Sequence, residues 1–225
     1  MYILCRYLPC HCCASAVFRA IPKAKIVAIL RHPIDRAHSR FIEQVHFAKQ
    51  YKKREINNCP VWMGWDKFVD YGIDKLQKCF KSIPGNGASS DRECIHHNNE
   101  IGWSIYAPSI MDWLDKFGES NVQVVYTDDL KADPLIVMQK IESHINLAPF
   151  RGYKDLNSTI NARGAYGWKK KSDNADHSAA FSKMKAETYM KLHDFYKPSI
   201  FQLQKLAMQG RITSLPPAWK NEWEL

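Results

Sequence analysis

AKIVAILRHPIDRAHSRF, which spans Ala24 to Phe41, is the stretch of sequence that decides the fold. Its first part, Lys25 to Leu30, is a short apolar run rich in β-branched residues, which is typical of a strand buried on both faces of a parallel sheet. Pro33 suits the first turn of a helix, and Asp35 is favourably placed near that helix's positive end. The stretch therefore predicts a strand followed directly by a helix that runs to about Lys49.

Apolar residues at helical spacing predict further helices, and another apolar run predicts a second buried strand. The predicted elements are helices at Trp62–Phe80 and Tyr106–Phe117, a strand at Val122–Tyr126, a helix after Pro134 with apolar positions at Leu135, Met138, Ile141 and Ile145, and a final helical region from Tyr189 to Leu203 that we expect Pro198 to break. This order predicts an α/β fold with a parallel sheet flanked by helices. Two strands are few for such a sheet, so we expect the domain to be incomplete.

Composition and charge are those of a single globular domain. The 225 residues are 45% hydrophobic and carry a formal net charge of +9. No apolar run approaches the roughly 20 residues that a membrane span needs, and Met1 to Phe18 lack the pattern of a signal peptide. The positive charge suits an anionic partner, which composition leaves open among a nucleotide, an acidic polysaccharide and a nucleic acid.

Seven cysteines are an odd number, so at least one of them is free or pairs with another chain. The run CHCC at positions 10–13 superficially suggests a metal cluster, but zinc sites usually need a second ligand pair and none follows. We therefore predict no metal site. Cys79 and Cys94 flank a turn-rich loop from Ser82 to Ser90, and either a disulfide or two unrelated buried thiols fits this arrangement.

Arg31 follows the predicted strand and precedes the predicted helix. Open α/β sheets bind ligands at the carboxyl ends of their strands, and the unpaired N–H groups at a helix N-terminus favour an anion. The Arg31 guanidinium can donate two hydrogen bonds to a phosphate, and Ser39, eight residues later, can add a hydroxyl. The alternative is a strand–helix junction in which Arg31 pairs with a nearby carboxylate.

The pattern R-x-P-x-x-R-x-x-S, formed by Arg31, Pro33, Arg36 and Ser39, resembles the 3′-phosphate-binding motif of sulfotransferases that use 3′-phosphoadenosine 5′-phosphosulfate (PAPS). The resemblance implies that Arg31 and Ser39 bind the 3′-phosphate of PAPS and that Arg36 is mainly structural. It also implies a P-loop NTPase-like α/β fold, sulfuryl transfer to a hydroxyl group and no metal.

The resemblance extends from about residue 15 to residue 220. The matching segments are Tyr106 with Trp113-Leu114 and Phe117, Val122–Tyr126 with Asp129-Leu130 and Asp133-Pro134, Leu192–Pro198, and Trp219. Cys79 and Cys94 look like the cysteine pair of the Golgi carbohydrate branch, and the nearest likeness is to N-acetylgalactosamine 4-sulfate 6-O-sulfotransferases. This branch implies a disulfide, a Golgi lumenal setting for the full-length protein and an acidic or sulfated glycan as acceptor.

Two features of the family are missing from this sequence. The strand and the Lys/Gly/Thr-containing loop that cradle the 5′-phosphosulfate do not precede Ala24, and the family's usual catalytic base lies in the same missing region. We therefore expect an N-terminally truncated protein, with residues 1–14 an uncertain N-terminal segment and residues 15–225 a partial sulfotransferase domain. If the chain begins where this sequence does, we expect no transfer activity, and a membrane contact only through a missing N-terminal anchor.

A long basic loop, Leu156 to Lys171, contains Arg163 and Gly164, which we nominate as further nucleotide-binding residues. The loop is either a wall of the nucleotide and glycan sites or a mobile basic loop. His96 and His97 could supply a general base because imidazole titrates near neutrality, but a surface pair fits the polar run HHNNE better. We nominate no catalytic residue.

Two other functions stay open on the sequence alone. A non-catalytic remnant of the same fold would hold a nucleotide or an acidic glycan by its basic face and transfer nothing. A basic nucleic-acid-binding domain is the weaker alternative, because the lysines and arginines are not interleaved with aromatic residues in the manner of such domains. We therefore expect a glycan partner and no nucleic acid.

Overall fold

A two-stranded parallel sheet lies at the centre of the computed structural model, which describes residues 13–50, 63–82, 88–154, 156 and 184–225. Strand β1 (Ile26–Leu30) pairs with strand β2 (Val122–Tyr126), in register from Ile26 opposite Val122 to Leu30 opposite Tyr126. Both strands and their parallel pairing confirm the predicted α/β class. Val27 and Ile29 are only half-buried, so one face of β1 is less covered than the sequence predicts.

Most of the described chain is helical. In chain order the helices are α1 (Cys13–Ala20), α2 (Pro33–Gln50), α3 (Trp65–Ser82), α4 (Ala88–His96), α5 (Ala107–Phe117), α6 (Thr127–Ala132), α7 (Pro134–His144), α8 (Ala186–Met208) and α9 (Pro217–Glu222). Gly118 ends α5 as expected, with φ 74° and its N–H donating to the Leu114 carbonyl. Among the described helices, none has the length and apolarity of a transmembrane segment.

Helix α4 is an element that the sequence reasoning missed, and the polar run after it is partly inside the fold. Asn98 is buried, and its Oδ1 accepts hydrogen bonds from the N–H groups of Ile101 at 3.0 Å and Gly102 at 3.1 Å. Its Nδ2 donates to the Gly72 carbonyl at 3.2 Å. The polar residues of this run therefore satisfy buried backbone groups, which composition alone does not reveal.

Helix α7 buries the predicted face only in part. Leu135 is 43% exposed and Met138, Ile141 and Ile145 are half-buried, whereas Val137 and Glu142 are buried. The buried Glu142 carboxylate is satisfied by hydrogen bonds from the chain that follows α7. The orientation of α7 is therefore set partly by a polar residue, and a search for apolar positions does not find it.

Helix α8 continues through Pro198, where the sequence predicts a break. A proline in a helix interior removes one hydrogen bond and costs about 3 kcal/mol. The neighbouring residues Tyr196, Ser199 and Ile200 are buried, so packing offsets this cost. The Ser199 hydroxyl also accepts a hydrogen bond from the Ala107 N–H at 3.1 Å, which joins α8 to the start of α5.

The C-terminal helix α9 brings two tryptophans to the carboxyl end of the sheet. Trp219 and Trp223 are among the largest fully buried side chains of the described residues. The ring centroid of Trp219 lies 5.3 Å from that of Tyr126, the last residue of β2, and 5.6 Å from that of His32. The last residues of the chain therefore pack against the end of the sheet at which Arg31 lies.

Cys79 and Cys94 form a disulfide that joins α3 to α4, with their Cα atoms 5.8 Å apart. This is the pairing that the family resemblance implies, and the alternative of two unrelated thiols is wrong. Cys13 is also disulfide-bonded, so its sulfur is not a thiolate ligand for the metal cluster considered at positions 10–13. The other residues of that run lie outside the described part of the chain.

Replacing Cys79 and Cys94 together with serine is expected to lower the free energy of unfolding by about 3 kcal/mol. The reason is that the disulfide spans a sequence separation of 15 residues and restricts the unfolded chain. Urea unfolding checks the stability, and peptide mass spectrometry without reduction should find the two cysteines joined. Alkylation of both thiols before any reduction would show that the pairing is wrong.

Candidate functional site

Arg31 directly follows β1, and its side chain is exposed. Helix α2 begins two residues later, and the Arg36 N–H donates to the His32 carbonyl at 2.8 Å to close its first turn. The unpaired N–H groups of that turn thus lie close to Arg31, at the carboxyl end of the sheet. A guanidinium beside a helix N-terminus is a favourable environment for a phosphate.

Ser39 is also exposed and lies on α2, one turn after the exposed Asp35. Residues four apart share a helix face, so the Ser39 hydroxyl is on the side of α2 that carries Asp35. None of the ion pairs in the described part of the chain involves the Arg31 guanidinium. Arg31 and Ser39 are therefore both presented to solvent by the β1–α2 unit.

Arg36, the other basic residue of the motif, points into the fold. Its guanidinium donates to the Glu100 carbonyl at 2.9 Å and lies over the Trp103 ring, 5.5 Å from the ring centroid. Burial lowers the pKa of Arg36 below its ordinary value. These contacts tie α2 to the segment before α5, which agrees with the structural role that the family resemblance implies for Arg36.

The backbone at Arg31 and His32 is held by residues from two other elements. The Tyr106 hydroxyl donates to the Arg31 carbonyl at 2.8 Å, across a sequence separation of 75 residues. The His32 Nε2 atom lies 2.9 Å from Oε2 of Glu222, 190 residues away. The sequence places Tyr106 in a predicted helix and in the family resemblance, but it links neither Tyr106 nor Glu222 to this turn, because no local pattern reports contacts over such separations.

Arg163 and Gly164, the other nominated nucleotide-binding residues, lie outside the described residues. The chain is described just before their loop, where the buried Glu142 carboxylate accepts hydrogen bonds from the Phe150 N–H at 3.2 Å and from the Tyr153 hydroxyl. The hydrogen bond to Glu142 raises the pKa of Tyr153. Glu142 therefore fixes the chain where it leaves α7 towards the basic loop.

His96 and His97 lie at the end of α4, where His97 is exposed and His96 is half-buried. The His96 ring is stacked on Trp103 at a centroid distance of 6.5 Å, and Trp103 Nε1 donates to the His96 carbonyl at 2.9 Å. Trp103 also contacts Arg36, so His96 belongs to the packing beside α2. Within the described residues, no group of three or more His, Cys, Asp or Glu side chains is placed to hold a metal ion.

Comparison with known families decides the identity of the fold. The family model described as "Sulfotransferase domain" matches residues 5–203. The chain belongs to the sulfotransferase domain family. A sulfotransferase from Alicyclobacillus acidocaldarius has a similar structure, with a TM-score of 0.56 and 18% sequence identity over 95% of this chain and 64% of that chain. The match confirms the resemblance found around Arg31 and the P-loop-like α/β fold expected from it.

Curated relatives of this sulfotransferase domain act on carbohydrates according to their names. Bifunctional heparan sulfate N-deacetylase/N-sulfotransferase 2 of Bos taurus is 22% identical over 207 residues, which are 90% of this chain and 21% of that protein. Carbohydrate sulfotransferase 15 of Mus musculus is 25% identical over 129 residues, which are 57% of this chain and 21% of that protein. The aligned sulfotransferase region thus spans about a fifth of the length of these relatives.

Proposed function

We propose that this sulfotransferase domain binds PAPS at the junction of β1 and α2, where Arg31 and Ser39 hold the 3′-phosphate. The observation that carries the proposal is the exposed Arg31 side chain at the carboxyl end of β1, beside the N-terminus of α2. A phosphate beside this turn can accept two hydrogen bonds from the Arg31 guanidinium and one from the Ser39 hydroxyl, and the positive end of the α2 dipole adds a favourable field. The motif spacing shared with PAPS-dependent sulfotransferases supports the same assignment.

The proposed reaction moves a sulfuryl group from PAPS to a carbohydrate hydroxyl. The acceptor oxygen forms a bond to sulfur while the bond from sulfur to the 5′-phosphate oxygen breaks, and adenosine 3′,5′-bisphosphate leaves with that electron pair. The hydroxyl proton passes to a base, to which we assign no residue. Arg31 and Ser39 contribute by fixing the nucleotide in one orientation, which reduces the entropic cost of reaching the transition state.

We propose an acidic or sulfated glycan as the acceptor and the Golgi lumen as the compartment. The name of the heparan sulfate relative and the net charge of +9 both support an anionic glycan. The disulfide between Cys79 and Cys94 supports an oxidising compartment of the secretory pathway. No metal has a role in the proposed reaction.

We also propose that the basic loop of residues 156–171 contributes to the nucleotide site through Arg163 and Gly164. Two observations support this assignment. The hydrogen bonds of Glu142 to Phe150 and Tyr153 fix the chain just before the loop, and the loop carries a run of three lysines after Arg163. Residues 15–225 then form one nucleotide-binding domain with the β1–α2 junction as its principal phosphate site.

Calorimetry with two isomeric nucleotides tests the proposed site. Adenosine 3′,5′-bisphosphate is expected to bind at least about tenfold more tightly than adenosine 2′,5′-bisphosphate, because Arg31 and Ser39 hold a phosphate in the 3′ position. The two isomers carry the same charge, so a general attraction to the basic surface does not distinguish them. Equal affinities would rule out the proposed 3′-phosphate site.

A further inference from the structure

Glu222, the last residue of α9, joins the C-terminal helix to the end of β1 and to α8. Its Oε2 atom lies 2.9 Å from His32 Nε2, and its Oε1 atom accepts a hydrogen bond from the Tyr189 hydroxyl at 2.5 Å. The Glu222 carbonyl lies 3.2 Å from His193 Nε2. One carboxylate thus contacts the residue next to Arg31 and the first part of α8.

The neighbouring Trp223 reinforces this arrangement. Trp223 is fully buried, and its ring stacks with the His32 ring at a centroid distance of 5.0 Å and with the His193 ring at 5.3 Å. The His32 ring therefore has a hydrogen-bonding partner and a stacking partner, both from the last residues of the chain. Such a ring is confined to one orientation, and the backbone that carries it is confined with it.

This confinement matters for Arg31 because a ligand that binds a mobile turn must order its backbone, at about 1–2 kcal/mol per residue. A turn that is already fixed does not pay that cost, and it presents the Arg31 guanidinium from one defined backbone position. The Tyr106 hydroxyl holds the Arg31 carbonyl at 2.8 Å, and the pair of His32 and Glu222 holds the next residue. The β1–α2 turn is therefore fixed at both of its residues.

We propose that Glu222 is a positioning residue for the nucleotide, which acts through His32 to orient Arg31 towards the 3′-phosphate. The inference rests on the proposed function and extends it to a residue that lies outside the binding motif. Glu222 does not touch the nucleotide in this proposal. Its effect is expected on the preference for the 3′-phosphate and not only on the stability of the fold.

The ionisation of Glu222 is consistent with this role. Burial opposes the charged form, but the hydrogen bonds from His32 and Tyr189 outweigh it and lower the pKa of Glu222 below its ordinary value of 4.5. His193 adds a favourable charge interaction, and Asp35 is a further charge beside Tyr189. Because the folded-state pKa is lowered, the stabilisation is present above about pH 4.5 and is lost as the pH falls through the folded-state value.

Glu222→Gln tests the inference in the full chain. The wild type is expected to prefer adenosine 3′,5′-bisphosphate over the 2′,5′ isomer, and Glu222→Gln should weaken binding of the 3′,5′ isomer about tenfold. Binding of the 2′,5′ isomer should change little, so the ratio of the two affinities should fall towards one. A role in folding alone predicts an unchanged preference in the folded fraction. A folded Glu222→Gln variant that keeps the wild-type preference therefore overturns the inference, whereas a wild type without any preference overturns the proposed function itself.

Two further variants keep the test decisive. If Glu222→Gln shows no cooperative unfolding, Tyr189→Phe removes one hydrogen bond to the same carboxylate, and it should weaken binding of the 3′,5′ isomer about threefold. An unchanged affinity in Tyr189→Phe then counts against the positioning role. Asp66→Asn is the matched control, because Asp66 on α3 accepts hydrogen bonds from Thr188 and Lys185 at the start of α8. Asp66→Asn should lower the unfolding midpoint and leave the preference intact, and an equal loss of preference there would also overturn the inference.

Discussion

Arg31→Ala is expected to remove measurable binding of adenosine 3′,5′-bisphosphate while the circular dichroism spectrum stays that of the wild type. The substitution removes two charge-assisted hydrogen bonds to the 3′-phosphate, and their loss corresponds to more than about a hundredfold in affinity. The fold should not change, because the Arg31 side chain is exposed and makes no ion pair within the described residues. Titration calorimetry measures the affinity.

Two variants control for this result. Arg19→Ala removes an exposed arginine from the end of α1, which leads to the opposite end of β1, and should leave the affinity within about twofold of the wild type. Arg31→Lys keeps the positive charge but lacks the planar guanidinium that donates two parallel hydrogen bonds. It is expected to give an affinity between those of the wild type and Arg31→Ala. Tight binding by Arg31→Ala, or an equal loss in Arg19→Ala, would mean that Arg31 does not hold the phosphate.

Strand β1 and helix α2, which flank Arg31, could be predicted from the sequence because the features that indicate them lie within the two elements themselves. An apolar, β-branched run marks β1, and Pro33 with Asp35 marks the first turn of α2. The predicted bounds of both elements agree with the structure to within about one residue. The spacing of Ser39 from Arg31 is a property of the same local unit, so the candidate phosphate site could be proposed before any tertiary contact was known.

The residues that hold the backbone of this site could not be predicted, because they come from distant parts of the chain. Tyr106 and Glu222 reach the β1–α2 turn across 75 and 190 residues. Glu222 lies in a short C-terminal segment that carries no motif pointing to a role at the β1–α2 turn. The one available signal is the pair Trp219 and Trp223, which are four residues apart and indicate a helical turn packed on the core.

Tertiary contacts also explain where the helix predictions were wrong. Pro198 is a strong local signal for a break, but the packing of its buried neighbours keeps α8 continuous. Conversely, α4 has few apolar residues, and its C-terminal end is fixed by the disulfide at Cys94 and by the buried Asn98 that follows it. In both cases the helix is stabilised by contacts with another helix, and local helix propensity does not report such contacts.

Trp219→Ala is expected to be among the most destabilising single substitutions in this chain, with a loss of about 3–5 kcal/mol in the free energy of unfolding. Trp219 is 1% exposed and packs against Tyr126 and His32 at the carboxyl end of the sheet. Its Nε1 atom donates to Asp128 Oδ2 at 2.8 Å, so the substitution also leaves a partly buried carboxylate without this donor. Urea unfolding followed by far-ultraviolet circular dichroism measures the loss.

Trp219→Phe separates the two contributions in large part, because it keeps one aromatic ring in the site while it removes the hydrogen bond to Asp128 and a smaller share of the volume. We expect it to cost about 1 kcal/mol, which leaves the greater part of the Trp219→Ala effect to the cavity. Phe201→Ala is the control for loss of an aromatic ring as such, since Phe201 on α8 is 46% exposed and should cost no more than about 0.5 kcal/mol. If Trp219→Ala were no more destabilising than Phe201→Ala, the C-terminal helix would not be packed on the end of the sheet. The anchoring of His32 by Glu222 and Trp223 would then fail with it, because α9 and the residue that follows it carry these contacts to the β1–α2 turn.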